Sequence, residues 1–165
     1  MRKILNEIKD YIIIILVVII IRTFIVTPAI VEGASMDYTL EDGQLVLINK
    51  FTYNFNKIER FDIVVLDNEI DNDRIIKRII GLPNEKISYI DNQLFINNEL
   101  IEVPFEFEET EDFIFTTQEG EYFVLGDNRK VSKDSRLLGN FTKEDIVGKV
   151  SFRLLPFKKF GKIEE

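Results

Sequence analysis

Among its 165 residues the chain has no histidine, no cysteine and no tryptophan. Lack of cysteine excludes disulfides, thiolate nucleophiles and thiolate zinc sites; lack of histidine removes the commonest general base and metal ligand. Catalysis in such a chain falls to a serine with a lysine, or to carboxylates. Basic residues are outnumbered by acidic ones, 21 to 29, and the net charge of -8 repels polyphosphate, which argues against nucleic acid as a partner. Neither a Gly-rich phosphate loop nor an EF-hand loop is present, so no cofactor and no metal are expected. Serines are also scarce: Ser35, Ser88, Ser132, Ser135 and Ser151 are all there are.

What is present is 45% hydrophobic and 30% charged, the composition of one ordered globular domain with an appendage. The appendage is N-terminal. Tyr11 to Ile21 carries no charge and is nearly all Ile, Val and Leu. Eleven helical residues reach only about 16 Å, but a helix from Ile4 to Val26 reaches about 34 Å, enough for a hydrocarbon core of about 30 Å. Lys9, Asp10 and Arg22 then lie at the interfaces, the long basic side chains snorkelling outward. A cleavable leader lacks its A-x-A-like site here, and a buried helix of a soluble domain would alternate in polarity. A single membrane anchor is therefore expected. Arg2, Lys3 and Lys9 precede the span while Glu32, Asp37, Glu41 and Asp42 follow it, which puts the N-terminus in the cytoplasm. The expected division is a cytoplasmic tail over residues 1–10, a transmembrane anchor over 11–27 and an extracytoplasmic β-rich domain over 28–165.

Beyond Ile30 the periodicity is that of strands: Gln44–Asn49, Asp62–Leu66, Arg74–Ile80, Lys86–Asp91, Gln93–Asn97, Leu100–Ile101, Phe113–Thr116, Glu121–Leu125 and Ile146–Arg153. Asp91-Asn92 suits a tight hairpin, and a second turn is expected at Asn97-Asn98. Thr142–Ile146 resembles a helical turn capped by Thr142. The acidic stretch Glu102–Asp112, with Phe105 and Phe107 interleaved, reads as a solvated excursion with aromatic anchors. Phe157–Lys162 reads as a solvated tail, contact with anionic lipid being the alternative.

Three segments could carry chemistry. Ser35 lies in Gly33-Ala34-Ser35-Met36, just past the expected membrane exit; an ordinary turn serine is the simpler reading. Lys77 interrupts a row of isoleucines, Ile75, Ile76, Ile79 and Ile80. It sits either at a sheet edge, reaching water, or desolvated, and the sequence by itself favours the edge. The chemistry gives the second reading its interest. At its ordinary pKa about one lysine in 2,500 is neutral at pH 7, and burial can shift that balance by several kcal/mol. Gly126–Arg136 alternates acids, bases and hydroxyls, either as surface ion pairs or as a framework orienting a base.

Taken in order, these segments resemble the type I signal peptidases in their small Gram-positive form. The resemblance is carried by an apolar span, Gly-x-Ser-Met at Gly33, Gly-x-Leu-Val-x-x-Asn-Lys from Gly43 to Lys50, Asp-Ile-Val-Val from Asp62, Ile-Lys-Arg-Ile-Ile-Gly-Leu-Pro from Ile76 to Pro83, and Gly-Asp-Asn-Arg-x-x-Ser-x-Asp-Ser-Arg from Gly126 to Arg136. It covers the chain from the span to about Arg153. It implies a mainly β fold, an antiparallel-sheet catalytic domain with one N-terminal transmembrane helix. It also implies a membrane-bound serine endopeptidase that removes signal peptides from exported preproteins, with preproteins and the bilayer as partners. Ser35 matches the nucleophile and Lys77 the general base. Ser132 matches the hydroxyl that holds the lysine, and Asp134 and Arg136 match charge partners beneath it, with Arg78 and Asp127 another pair. Val31, Met36, Leu40, Ile75 and Ile76 occupy positions that line pockets for small substrate side chains, and the Ser35 N–H is the expected oxyanion donor.

Four positions depart from the family pattern: Tyr38 stands where Pro is usual, Asn84-Glu85 where Gly-Asp is usual, and Gly33 where some relatives have Ser. Two rival readings are a catalytically silent, membrane-tethered β module that binds protein partners, and a self-cleaving repressor-type Ser/Lys protease.

Overall fold

The computed structural model describes residues 9–18 and 26–163. Residues 9–18 form helix α1, whose apolar side chains from Tyr11 to Val18 are between 46% and 68% exposed. Among the described residues no helix is long and apolar enough to cross a membrane. The rest of the expected span, residues 4–8 and 19–25, lies outside the described residues. At its outer limit the expectation needs correction: Val26 and Thr27, placed at the end of the anchor by the sequence, belong to strand β1 (Val26–Ile30).

Twelve strands follow among the described residues: β1, β2 (Leu45–Asn49), β3 (Ile63–Asn68), β4 (Asp73–Gly81), β5 (Lys86–Ile90), β6 (Gln93–Ile96), β7 (Glu99–Ile101), β8 (Phe113–Thr116), β9 (Glu121–Leu125), β10 (Phe141–Thr142), β11 (Ile146–Leu155) and β12 (Gly161–Lys162). Two short helices, α2 (Thr52–Phe55) and α3 (Ser135–Leu138), interrupt them. The strands form two antiparallel sheets. The larger runs β1-β2-β11-β3-β4-β9-β10, with β12 on β11; the smaller runs β7-β6-β5-β8.

Local chemistry accounts for several of these elements. Pro28 cannot donate a ladder hydrogen bond, and it lies in β1, at the edge of the larger sheet. Asp91 and Asn92 join β5 to β6 with φ of 49° and 62°, the mirror-image turn that matches strand twist. Asn97 and Asn98 do the same between β6 and β7, with φ of 52° and 70°.

The helical turn expected at Thr142 is instead the junction of β10 and β11. Thr142 N–H and Oγ1–H both donate to Asp145 Oδ2, at 2.6 and 2.8 Å, which closes a turn and not a helix. The Glu102–Asp112 excursion is more tightly held than expected. Phe105 and Phe107 pack into the cluster of the smaller sheet, around Tyr89, Leu94 and Phe123. Two further clusters fill the larger sheet. One, around Val46, Ile48, Ile63 and Val65, lies under the segment that carries Ser35 and takes in Val31, Met36 and Leu40. The other groups Val64, Leu66, Ile79 and Val124.

Candidate active site

Ser35 opens a tight turn that leads from β1 toward β2. Leu40 N–H donates to Met36 O at 2.8 Å and Thr39 N–H to the same oxygen at 3.1 Å. Met36 and Leu40, 1% and 0% exposed, root this turn in the core and leave Ser35 at its rim. Tyr38 has φ of 86°. Proline, locked near -65°, cannot adopt that conformation, so the residue that departs from the family pattern also takes a backbone the usual residue could not. For a non-glycine residue this costs about 1–2 kcal/mol.

Lys77 lies on β4, in the interior of the larger sheet between β3 and β9. The edge position favoured by the sequence is therefore overturned: the residue is 3% exposed. Its Nζ donates to Ser35 Oγ at 2.8 Å and to Ile76 O at 2.9 Å. Burial pushes the Lys77 pKa down from 10.5 to about 8, against the opposing pull of Asp134, Asp73 and Asp127. If Lys77 is neutral, the 2.8 Å separation also lets the Ser35 hydroxyl donate to the amine.

The neighbouring Arg78 is fully buried and forms a bidentate pair with Asp127, Nε to Oδ1 at 3.0 Å and Nη2 to Oδ2 at 2.7 Å. Phe105 stacks on the guanidinium at 3.7 Å. Asp134 and Arg136 make the second pair expected from the sequence, with both contacts at 2.8 Å. Asp134 also accepts from Gly126 N–H at 3.1 Å and, through Arg136 N–H, caps α3. The Gly126–Arg136 segment is thus largely interior and not a surface ion-pair network: Asp127, Arg129, Ser132, Asp134 and Ser135 are all buried.

Ser132, expected to hold the lysine, has a buried Oγ with no hydrogen-bond partner among the described residues. It packs instead against Gly126, where a Cβ would fall 2.3 Å from Ser132 Oγ and 2.4 Å from Ser35 O. Only glycine permits that approach. Asn128 N–H then donates to Ser35 O at 3.1 Å and ties the serine turn to this segment.

The expected pocket residues are dispersed. Val31, Met36 and Leu40 are core, with Ile76 packed against the same cluster. Ile75 lines the open cleft of about 330 Å³ that contains Ser35 and Lys77. Val31 N–H donates to Gln44 O at 2.8 Å and its C=O accepts from Gly43 N–H at 2.9 Å, so its backbone is engaged within the fold. Sequence reasoning missed Asn68, Asp71, Asp73, Val131 and Lys133, which also line the cleft. Among the described residues no group of three or more acidic side chains is placed to hold a metal ion.

The family model described as "Signal peptidase, peptidase S26" matches residues 4–155. The chain belongs to this family and is a peptidase of that class. Signal peptidase IB of Staphylococcus aureus (strain Mu50 / ATCC 700699) is 37% identical over 87% of this chain and 85% of its own length. Signal peptidase I of Bacillus caldolyticus is 38% identical over 88% of both. The crystal structure of a signal peptidase I from Enterococcus faecalis V583 superimposes with a TM-score of 0.52 at 34% identity, over 57% of this chain and 97% of that one.

Proposed function

We propose that the chain is a membrane-anchored serine endopeptidase that removes N-terminal signal peptides from exported preproteins, with Ser35 as nucleophile and Lys77 as general base. The observation that carries this reading is the 2.8 Å contact between the Ser35 hydroxyl and the buried Lys77 amine, in a chain of the signal peptidase family. With a pKa of about 8, roughly one Lys77 in ten is neutral at pH 7, about 250 times the fraction for an ordinary lysine. Docked substrate displaces water from the cleft and further disfavours the ammonium.

The reaction runs in two halves. Neutral Lys77 takes the Ser35 proton as Oγ attacks the scissile carbonyl, and the Ser35 N–H stabilises the oxyanion. The Lys77 ammonium then gives that proton to the departing amine, leaving the signal peptide as an ester on Ser35. Lys77, neutral again, deprotonates a water that attacks the ester and frees the carboxylate and the Ser35 hydroxyl. Asp134–Arg136 and Arg78–Asp127 position the two segments; Ser132, lacking a hydrogen bond, fills space beside Gly126.

The anchor is the one expected from the sequence, ending before Val26, where β1 begins. The tail before it is cytoplasmic and the β domain extracytoplasmic. Incubating the full chain in detergent with a preprotein tests the function. Cleavage at the leader boundary, abolished by Ser35→Ala and by Lys77→Ala, is expected. Unchanged cleavage by both variants refutes the site.

A further inference from the structure

The Ser35–Lys77 cleft is unevenly charged, and Asn68 is the reason. This residue ends β3, is 3% exposed, and directs its side-chain amide at two carboxylates. Nδ2 donates to Asp71 Oδ2 at 2.9 Å and to Asp73 Oδ1 at 3.0 Å. Two acids are thereby held on one nitrogen at the lip of the cleft, against their mutual repulsion. Lys133, from the segment that follows β9, offsets one of them, with Nζ at 2.5 Å from Asp71 Oδ2. Asp73 and Glu32 have no cation at ion-pair distance among the described residues, and both line the cleft. Lys77 contributes no compensating charge in the neutral form that the reaction requires. Three carboxylates therefore face the cleft against one cation.

Resting on the proposed peptidase function, we infer that this wall sets a charge preference: the cleft favours preproteins with Lys or Arg next to the scissile bond over those with Asp or Glu there. Asn68 fixes the two carboxylates, Asp73 and Glu32 supply the uncompensated field, and Lys133 limits it. A side chain entering a half-open cleft at this range meets partly screened charges, which corresponds to about a fivefold preference at low salt.

The test is a competition in which each enzyme serves as its own control. Full-length chain in detergent is given matched preproteins that carry Lys or Glu two residues before the cut, or at either of the first two residues after it. The expected result is faster cleavage of the Lys form, by about fivefold, at one or more of these positions in about 0.05 M salt, with a smaller ratio in about 0.5 M salt. Asp73→Asn and Glu32→Gln lower the ratio and Lys133→Met raises it, whatever these changes do to the absolute rate. Ratios within about twofold at all positions at low salt, or a ratio indifferent to both Asp73→Asn and Glu32→Gln, overturn the inference and leave the peptidase reading standing. Failure to cut any of the preproteins overturns both.

Discussion

Thr39 Oγ1 donates to Asp127 Oδ2 at 2.6 Å, joining residues 88 positions apart in the chain. The same hydroxyl accepts from Arg78 Nη2 at 2.9 Å, and the Thr39 carbonyl accepts from Arg153 Nη2 at 2.6 Å. Thr39 thus fastens the serine turn to the buried ion pair next to Lys77 and to β11. Thr39→Val removes the hydroxyl and keeps the volume. It is expected to lower stability by about 1–3 kcal/mol and to cut kcat/KM about tenfold, with Thr39→Ser restoring most of the rate. Chemical denaturation and preprotein cleavage measure the two effects.

Gly126 makes a sharper prediction. A methyl group there meets the Ser35 carbonyl and Ser132 Oγ below 2.5 Å, so Gly126→Ala must shift the serine turn and this segment relative to each other and is expected to disturb the Ser35–Lys77 contact. A displacement of about 1 Å can reduce the rate about a hundredfold. The expected signature is a large loss of kcat with a smaller change in KM. Ser132→Ala, which removes a hydroxyl that makes no hydrogen bond, is expected to be far milder and to leave the pH profile unmoved. If Ser132→Ala is as damaging as Gly126→Ala, the serine has the role that the family resemblance implies.

Linkage at Lys77 gives the third prediction. Its folded pKa of about 8 lies below the ordinary 10.5, so between these values the unfolded chain binds more protons than the folded one. Stability relative to Lys77→Met therefore rises with pH from about 8 to 10.5 and is flat below that window. A difference of 2.5 between the two pKa values corresponds to about 3 kcal/mol. Asp73 holds the Lys77 pKa up, so Asp73→Asn is expected to move the rising limb of kcat/KM to lower pH. Profiles of wild type and variant that coincide would contradict this.

The anchor is tested by truncation. Since β1 begins at Val26 and pairs with β2 over its whole length, a chain starting at Val26 keeps its sheet and is expected to leave the membrane fraction. The full chain is expected to stay with membranes after carbonate washing. A truncated chain that pellets equally well would show that the β domain binds lipid by itself, through surfaces such as the exposed Phe157 and Phe160.

Much of this architecture was legible in the sequence, and the failures have identifiable causes. The Asn-rich turns and β-branched runs gave most of the strands, because local backbone preference and alternation decide them. β1 escaped notice because its apolar residues continue the anchor's composition and Pro28 reads as a stop; only pairing with β2 makes it a strand. Thr142 looked like a helix cap because the same side-chain bond closes a turn. Lys77 read as an edge residue because sequence shows its row of isoleucines but not the strands on either side, β3 and β9. The two ion pairs followed from the resemblance. Asn68, Asp71 and Asp73 could not be placed, since nothing local marks a hairpin tip as the wall of a cleft formed by residues far apart in sequence.

The central claim, a lysine amine kept partly unprotonated near neutrality by burial beside Ser35, is most directly tested by titrating that amine. In the full chain labelled with 13C at lysine Cε, the Lys77 resonance is identified by its loss in Lys77→Met and followed by NMR against pH. The account predicts a midpoint of about 8. A midpoint near the ordinary 10.5 would contradict it.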